Sequence, residues 1–122
     1  MEPLSITFRG MEPPIGVEED IRDRVAEFSR FFDRITACHV VVEARHRHQR
    51  HGGSYHVHID LSVPDRTIVA GREPMEDHAR EDLRVAIRDA FAAAQRQLQD
   101  YAREKRGNVK SHGSTKAAAP PD

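Results

Sequence analysis

The clearest structural signal in the sequence is the stretch SYHVHIDLSVPDRTIVA, residues 54–70. In its first part, apolar side chains occupy every second position, at Tyr55, Val57, Ile59, Leu61 and Val63. A period of two residues is typical of a β-strand with one face in the core and the other face open. The following PDR indicates a tight turn, and TIVAGRE (67–73) reads as a second, shorter strand. These residues predict a β-hairpin.

Two more strands precede this hairpin. ACHVVVEARHRH (37–48) is rich in β-branched residues, and QRHGG (49–53) supplies a glycine-containing turn that leads into residue 54. Near the start of the chain, PLSITFR (3–9) alternates again, with Leu4, Ile6 and Phe8 on one side. The breaker GMEPPIG (10–16) separates that strand from the next element.

Two segments have the periodicity of amphipathic helices. In the first, apolar residues recur at steps of four and three, at Ile21, Val25, Phe28, Phe32 and Ile35. Three acidic residues, 18–20, fall in its first turn, where negative charge stabilises a helix. In the second, an apolar stripe is formed by Leu83, Ile87, Ala90, Ala94, Leu98 and Tyr101. We expect the first helix to reach Ile35 and the second to end at Gly107.

The element order is therefore β-α-β-β-β-α. A helical crossover places the first strand parallel to the second, whereas the hairpin-linked strands are antiparallel. Both helices must bury one stripe, and the sheet offers one apolar face. We predict an α+β two-layer sandwich, with a four-stranded mixed sheet and two helices on one face. Residues 1–107 form the predicted domain, and the weakly apolar 108–122 form a predicted disordered tail.

Length and composition narrow the class of protein. With 122 residues the chain suits one domain with a modest core. It has no apolar run of membrane-spanning length and no visible signal peptide, so we expect a cytoplasmic protein without a membrane partner. A single cysteine, Cys38, excludes an internal disulfide and fits a reducing compartment. We expect Cys38 to be a buried small apolar residue rather than a catalytic thiol.

Histidines cluster in EARHRHQRHGGSYHVHID (43–60), which holds five of the eight in the chain. Strand alternation points His46 and His48 to the helix-covered face and His56 and His58 to the open face, which disfavours a four-histidine metal site. A weak zinc site from His56, His58 and Asp60 stays an alternative. No nucleophile or glycine-rich phosphate loop accompanies the cluster. We expect no catalytic residue, metal, cofactor or small-molecule substrate.

Charge is segregated along the chain, although the net charge is only −1. Residues 37–58 carry +2 and residues 78–110 carry +3. On a helical wheel the arginines of the last helix fall beside the apolar stripe, and its acids fall in a separate sector. A row of guanidinium groups suits bidentate contacts to phosphates, although a solvated charged face is the alternative. Arg45 and Arg47 on the open face, with Arg50 in the turn, form a second candidate surface.

This order of elements, with FFDRI (31–35), AIRDAF (86–91) and RQL (96–98), resembles the ribosome hibernation-promoting factor family over residues 4–106. That family includes ribosome-associated inhibitor A and was once labelled sigma-54 modulation proteins. The resemblance implies a short-form, non-enzymatic factor of the stress response. Such a factor binds the small ribosomal subunit and its rRNA in the mRNA channel, between head and body. There it occludes mRNA and the A- and P-site tRNAs.

The resemblance also implies positions for RNA contacts. Arg96 lies in the RQL motif, Arg103, Lys105 and Arg106 match the basic helix end, and Arg22 matches a basic position of the first helix. With the two candidate surfaces, the expected RNA-binding set is Arg22, Arg45, Arg47, Arg50, Arg84, Arg88, Arg96, Arg103, Lys105, Arg106 and Lys110. We expect no second domain of the kind that long-form members use to pair ribosomes. The alternatives are a general double-stranded RNA-binding protein and a histidine-based metalloenzyme or metal-binding protein.

Overall fold

The computed structural model describes residues 3–46, 53–71 and 82–112. In chain order its elements are β1 (Leu4–Arg9), α1 (Val17–Phe28), β2 (Ala37–His46), β3 (Gly53–Val63), β4 (Arg66–Ala70) and α2 (Leu83–His112). The predicted order β-α-β-β-β-α is confirmed. Residues 47–50, which include Arg47 and Arg50, lie outside the described residues.

The four strands form one mixed sheet in the order β1-β2-β3-β4. β1 runs parallel to β2, and the other two pairs are antiparallel. The register aligns one row of side chains across the whole sheet: Ile6 opposite Val40, Val40 opposite Ile59, and Ile59 opposite Ala70. Because β3 and β4 join through the two residues 64–65, the predicted PDR hairpin is confirmed.

Both helices pack on one face of this sheet, which confirms the predicted two-layer sandwich. Every residue of the predicted α2 stripe is buried, from Leu83 to Tyr101. The two helices meet where Phe28 of α1 stacks on Phe91 of α2, with ring centroids 5.5 Å apart. Ile21, Val40 and Ile59 belong to the same fully buried cluster. One core therefore fills the space between helices and sheet.

The predicted extension of α1 to Ile35 is wrong, because the helix ends at Phe28. Both the backbone N–H and the hydroxyl of Ser29 donate to the carbonyl of Ala26, at 3.4 and 2.9 Å. The N–H of Arg30 donates to the carbonyl of Glu27, at 3.0 Å, three residues back, which is a tighter turn than that of an α-helix. Phe32 and Ile35 stay partly or fully buried in the turn and loop after the helix. The regular spacing of these apolar residues therefore reflects their burial in the core and not a continuation of the helix.

The predicted end of α2 at Gly107 is also wrong, because the helix continues to His112. A glycine ends a helix when it adopts a left-handed conformation. The described glycines with positive φ are Gly10, Gly16 and Gly71, and Gly107 is not among them. Residues 108–112 of the predicted tail therefore belong to α2, and residues 113–122 lie outside the described part of the chain.

Candidate nucleic-acid interface

The start of α2 and its buried stripe set the orientation of its arginines. The Asp82 carboxylate accepts the N–H groups of Arg84 and Val85, at 2.9 and 3.3 Å, and so caps the helix. The apolar stripe then faces the sheet. Beside the apolar stripe, α2 carries a row of exposed arginines that we term the basic stripe, made of Arg84, Arg88, Arg96, Arg103 and Arg106. The structure thus brings together five residues of the predicted set on one rigid element.

The members of the basic stripe differ in their ion pairs. Arg88 contacts Asp89 at 3.2 Å, Arg103 pairs with Asp100, and Arg84 lies 3.8 Å from Asp20 of α1. These three arginines have side chains more than 60% exposed, and such exposed pairs stabilise by about 0–1 kcal/mol. A phosphate therefore competes easily for them.

Two arginines of the stripe stand out electrostatically. Arg96 and Arg106 are exposed and form no ion pair with any residue that the structure describes. They lie ten residues apart, which places them about 15 Å apart along the helix axis. Their unmatched charges make them the strongest phosphate-binding candidates of the stripe.

Lys105 lies apart from the basic stripe, on the side of α2 that faces the β3–β4 hairpin. Its ammonium donates to the Asp65 carboxylate at 2.6 Å, and the Tyr101 hydroxyl donates to the same carboxylate at 3.0 Å. The hydrogen bond from Lys105, with that from Tyr101, lowers the pKa of Asp65 to about 2. The bond to Asp65 in turn raises the pKa of Lys105. The positive charge of Lys105 is therefore matched within the chain.

A second ion pair completes this contact between the hairpin and α2. Arg66 donates to both carboxylate oxygens of Glu104, at 3.3 and 3.0 Å, and its guanidinium lies 4.9 Å from the Tyr101 ring centre. We term the group of Asp65, Arg66, Tyr101, Glu104 and Lys105 the hairpin clamp. It joins residues 36 to 40 positions apart in sequence and fixes the second half of α2 to the hairpin.

The other described members of the predicted set lie on different surfaces. Arg22 is exposed on α1, in the same layer as the stripe, and pairs with Glu18 at 3.0 Å. Arg45 belongs to the open face of the sheet and pairs with Glu43 at 3.3 Å. That face is opposite the helices, so Arg45 and the basic stripe do not form one continuous surface. Lys110 lies within α2, but its side chain is outside the described ones.

The open face of the sheet holds three described histidines. His39 lies 3.3 Å from the Thr7 hydroxyl, and His58 lies 2.9 Å from an Asp60 carboxylate oxygen. His56 faces this side, as alternation predicts, yet it is only 7% exposed. Burial of the ring lowers the pKa of His56, and the nearby charge of Arg45 lowers it further. A hydrogen bond to the Gly71 carbonyl acts in the opposite direction but does not outweigh these two effects.

This histidine face does not have the form of a metal site. Within residues 3–46, 53–71 and 82–112, no three or more His, Cys, Asp or Glu side chains converge as metal ligands would. Histidines 48 and 51 and the side chain of His46 lie outside the described ones. Cys38 is buried, and its burial raises its pKa to about 12, so its thiol is a poor nucleophile.

One surface feature has no counterpart among the sequence predictions. A groove of about 520 Å³ lies where the turn after α1 meets the last turns of α2. Its lining includes Arg30, Phe31, Asp33, Ala102 and Arg106. The only local signal is RFFDR (30–34), in which aromatic and basic residues adjoin. A helix through these residues would have pointed them to different sides, and the early end of α1 brings them to one groove.

Among residues 3–46, 53–71 and 82–112, neither helix combines the length and the hydrophobicity that a membrane span requires. The family model described as sigma-54 modulation protein / S30EA ribosomal protein matches residues 4–106. No curated protein matches the chain.

Solved structures with this fold include the N-terminal domain of Protein Y from Thermus thermophilus, at TM-score 0.64 and 17% identity, covering 83% of this chain and 99% of that one. A ribosomal subunit interface protein from Coxiella burnetii aligns at TM-score 0.61 and 16% identity, covering 81% and 96%. At these identities the two structures support the fold.

Proposed function

The chain belongs to the sigma-54 modulation protein / S30EA ribosomal protein family, and from this membership we propose that it is a ribosome hibernation factor. The family consists of ribosome-associated factors and not of enzymes. In this proposal the protein binds the small ribosomal subunit and its rRNA in the mRNA channel. There it blocks translation by occluding mRNA and the A- and P-site tRNAs. Its site of action is the cytoplasm, during stress, when ribosomes are idle.

Family membership supports ribosome association, and the structural observation that supports RNA binding within this proposal is the basic stripe. Its arginines project from one side of a helix that is fixed to the sheet by a buried stripe and the hairpin clamp. From Arg84 to Arg106 the row spans about 33 Å. A rigid row of this length engages several phosphates at once without ordering a flexible segment, and this lowers the entropic cost of binding.

Small-subunit binding is tested by co-sedimentation with purified small subunits, large subunits and intact ribosomes. We expect the protein to pellet with small subunits and with intact ribosomes. A triple variant, Arg96→Glu, Arg103→Glu and Arg106→Glu, should lose this binding while circular dichroism shows an intact fold, because the apolar stripe is untouched. A double variant of the acidic sector, Asp89→Asn and Asp100→Asn, is the control and should bind at least as well as wild type.

Two outcomes would contradict the proposal. If the folded triple variant pellets normally, the basic stripe is a solvated face and the surface around Arg45 becomes the next candidate. If bare RNA duplex competes as well as small subunits do, the protein is a general double-stranded RNA binder, the alternative that a row of phosphate-binding groups also permits. Inhibition of translation in a purified system, relieved by added mRNA, would support occlusion of the mRNA channel.

A further inference from the structure

The groove between the turn after α1 and the end of α2 has a wall of two phenylalanines. Phe31 and Phe32 both line it. The ring of Phe32 is committed to the core, because it packs edge-on against Tyr101 with ring centres 5.0 Å apart. Phe31 is half-buried and packs partly against the core, and no aromatic ring of the described residues stacks on it. The exposed part of the Phe31 ring therefore offers an apolar surface to whatever enters the groove.

The rim of the groove carries positive charge that is available to a ligand. Arg106 is exposed and has no ion pair with any described residue. The Arg30 side chain is 72% exposed and makes one pair with Glu27 at 3.0 Å, of the kind that water and ligands exchange readily. Lys105 also lines the groove, but its ammonium is held by Asp65.

Asp33 is the acidic residue of the lining. A carboxylate disfavours a phosphate at its own position, yet it accepts hydrogen bonds from amino and imino groups. The lining thus offers three kinds of contact: an apolar ring, guanidinium donors and a carboxylate acceptor. An unpaired nucleotide matches all three, with a base face, a phosphate and the donor edge of the base.

We propose that this groove binds an unpaired nucleotide of RNA, with the base stacked on Phe31 and the phosphate held by Arg106 and Arg30. The inference rests on the proposed function, because that function supplies the RNA. Arg106 belongs to both the groove and the basic stripe, so RNA bound by the stripe lies next to the groove. Backbone phosphates that follow the stripe would pass directly beside the groove. In a regular duplex the base faces are already stacked, so the groove selects a looped-out or single-stranded nucleotide.

The test compares two fluorescein-labelled RNA probes by anisotropy, a single-stranded hexaadenylate and a blunt RNA duplex. The variant Phe31→Leu keeps an apolar side chain but removes the stacking ring. Phe8→Leu is the matched control, because Phe8 is likewise a partly buried phenylalanine packed against the core, and it lies on β1, outside the groove. We expect Phe31→Leu to weaken hexaadenylate binding by about fivefold or more, as loss of one stacked base does. Duplex binding should be unchanged, and Phe8→Leu should alter neither.

A second measurement does not depend on a core substitution. Adenosine monophosphate is titrated into isotope-labelled wild-type protein, and Arg30→Gln, at an exposed position, serves as the weakened variant. Backbone amide shifts should concentrate in residues 29–33 and 102–106 and should be smaller at equal ligand in Arg30→Gln. Amide shifts centred elsewhere would overturn the groove proposal. So would a Phe31→Leu variant that binds hexaadenylate as tightly as wild type does.

These outcomes separate the two proposals. If the protein pellets with small subunits but Phe31→Leu has no effect on hexaadenylate, the groove assignment fails and the proposed function stands. If the protein does not bind small subunits but shows the Phe31-dependent preference for hexaadenylate, the groove assignment stands and the proposed function fails.

Discussion

Arg96 and Arg106 allow a quantitative test of where the protein touches phosphates. The variant replaces both with glutamine, which keeps a polar side chain and removes two positive charges. Their separation of about 15 Å exceeds the Debye length of about 10 Å at moderate salt, so the two arginines act on separate phosphates. Neither has an ion pair to lose among the described residues, so the full charge of each is available to RNA.

The expected magnitude follows from counterion release. Each phosphate neutralised contributes about 0.7–0.9 to the slope of log affinity against log salt, so the double variant should have a slope shallower by about 1.4–1.8. Between about 50 and 200 mM salt, wild type should therefore lose about tenfold more affinity than the variant does. The assay is co-sedimentation with small subunits across that range, with circular dichroism to verify the fold.

The matched control removes the same charge from surfaces outside the expected RNA-binding set. Arg9 lies on the open side of the sheet and Arg34 in the loop after α1, and both are exposed, so Arg9→Gln with Arg34→Gln changes net charge equally and leaves α2 intact. We expect its slope to equal that of wild type. An unchanged slope for the α2 variant would refute the assignment of the basic stripe. An equal decrease in both variants would show that total charge, and not the position of the arginines, governs binding.

Three further predictions concern stability, measured by urea or thermal unfolding. Gly107→Ala should stabilise by about 0.5–1 kcal/mol, because Gly107 is helical and an added Cβ meets nothing within 4 Å. Gly71→Ala should destabilise, because φ at Gly71 is +79° and a new Cβ would clash with the carbonyl oxygen of Val57. Asp65→Asn should lower stability at neutral pH, and its effect should disappear as the pH falls through about 2. The folded pKa of about 2 lies below the unfolded value of about 3.9, so the contribution is complete above the unfolded value and is lost on acidification through the folded one. His56→Ala should lower the free energy of unfolding by about 1–3 kcal/mol, because it removes a buried, hydrogen-bonded ring. His58→Ala should lower it less, because His58 is only half-buried. Equal effects of the two variants would contradict the burial argument.

Local patterns sufficed to predict the architecture. The alternation from Tyr55 to Val63 and the short turn after it specify a hairpin, and a helical crossover leaves the first strand parallel. Burial of the whole stripe from Leu83 to Tyr101 confirms the predicted face of α2. These predictions are confirmed because each depends on residues that lie close together in the sequence.

The failures have non-local or side-chain causes. The apolar period of α1 continues through Phe32 because that ring packs on Tyr101, although the helix has already ended at the Ser29 hydrogen bonds. Gly107 continues the helix, since it does not adopt the left-handed conformation with which a glycine ends one. The RNA-binding prediction for Lys105 is not among these failures, but its ion pair was equally beyond local sequence patterns, because the partner Asp65 is 40 residues away in sequence. A helical wheel contains no information on that partner, and it also misses the groove at Phe31.

The hairpin clamp also explains why a net charge of −1 is compatible with a phosphate-binding surface. Asp65 and Glu104 take the charges of Lys105 and Arg66, on the side of α2 that faces the hairpin. The cations that remain unmatched among the described residues of α2 are Arg96 and Arg106, on the outer side. RNA responds to the local potential within about a Debye length and not to the total charge of the chain. Asp65 and Glu104 are held in the clamp and do not pair with Arg106, so Arg106 keeps its positive charge. Arg106 also lines the groove of Phe31, and this charge therefore lies where the basic stripe and the groove meet.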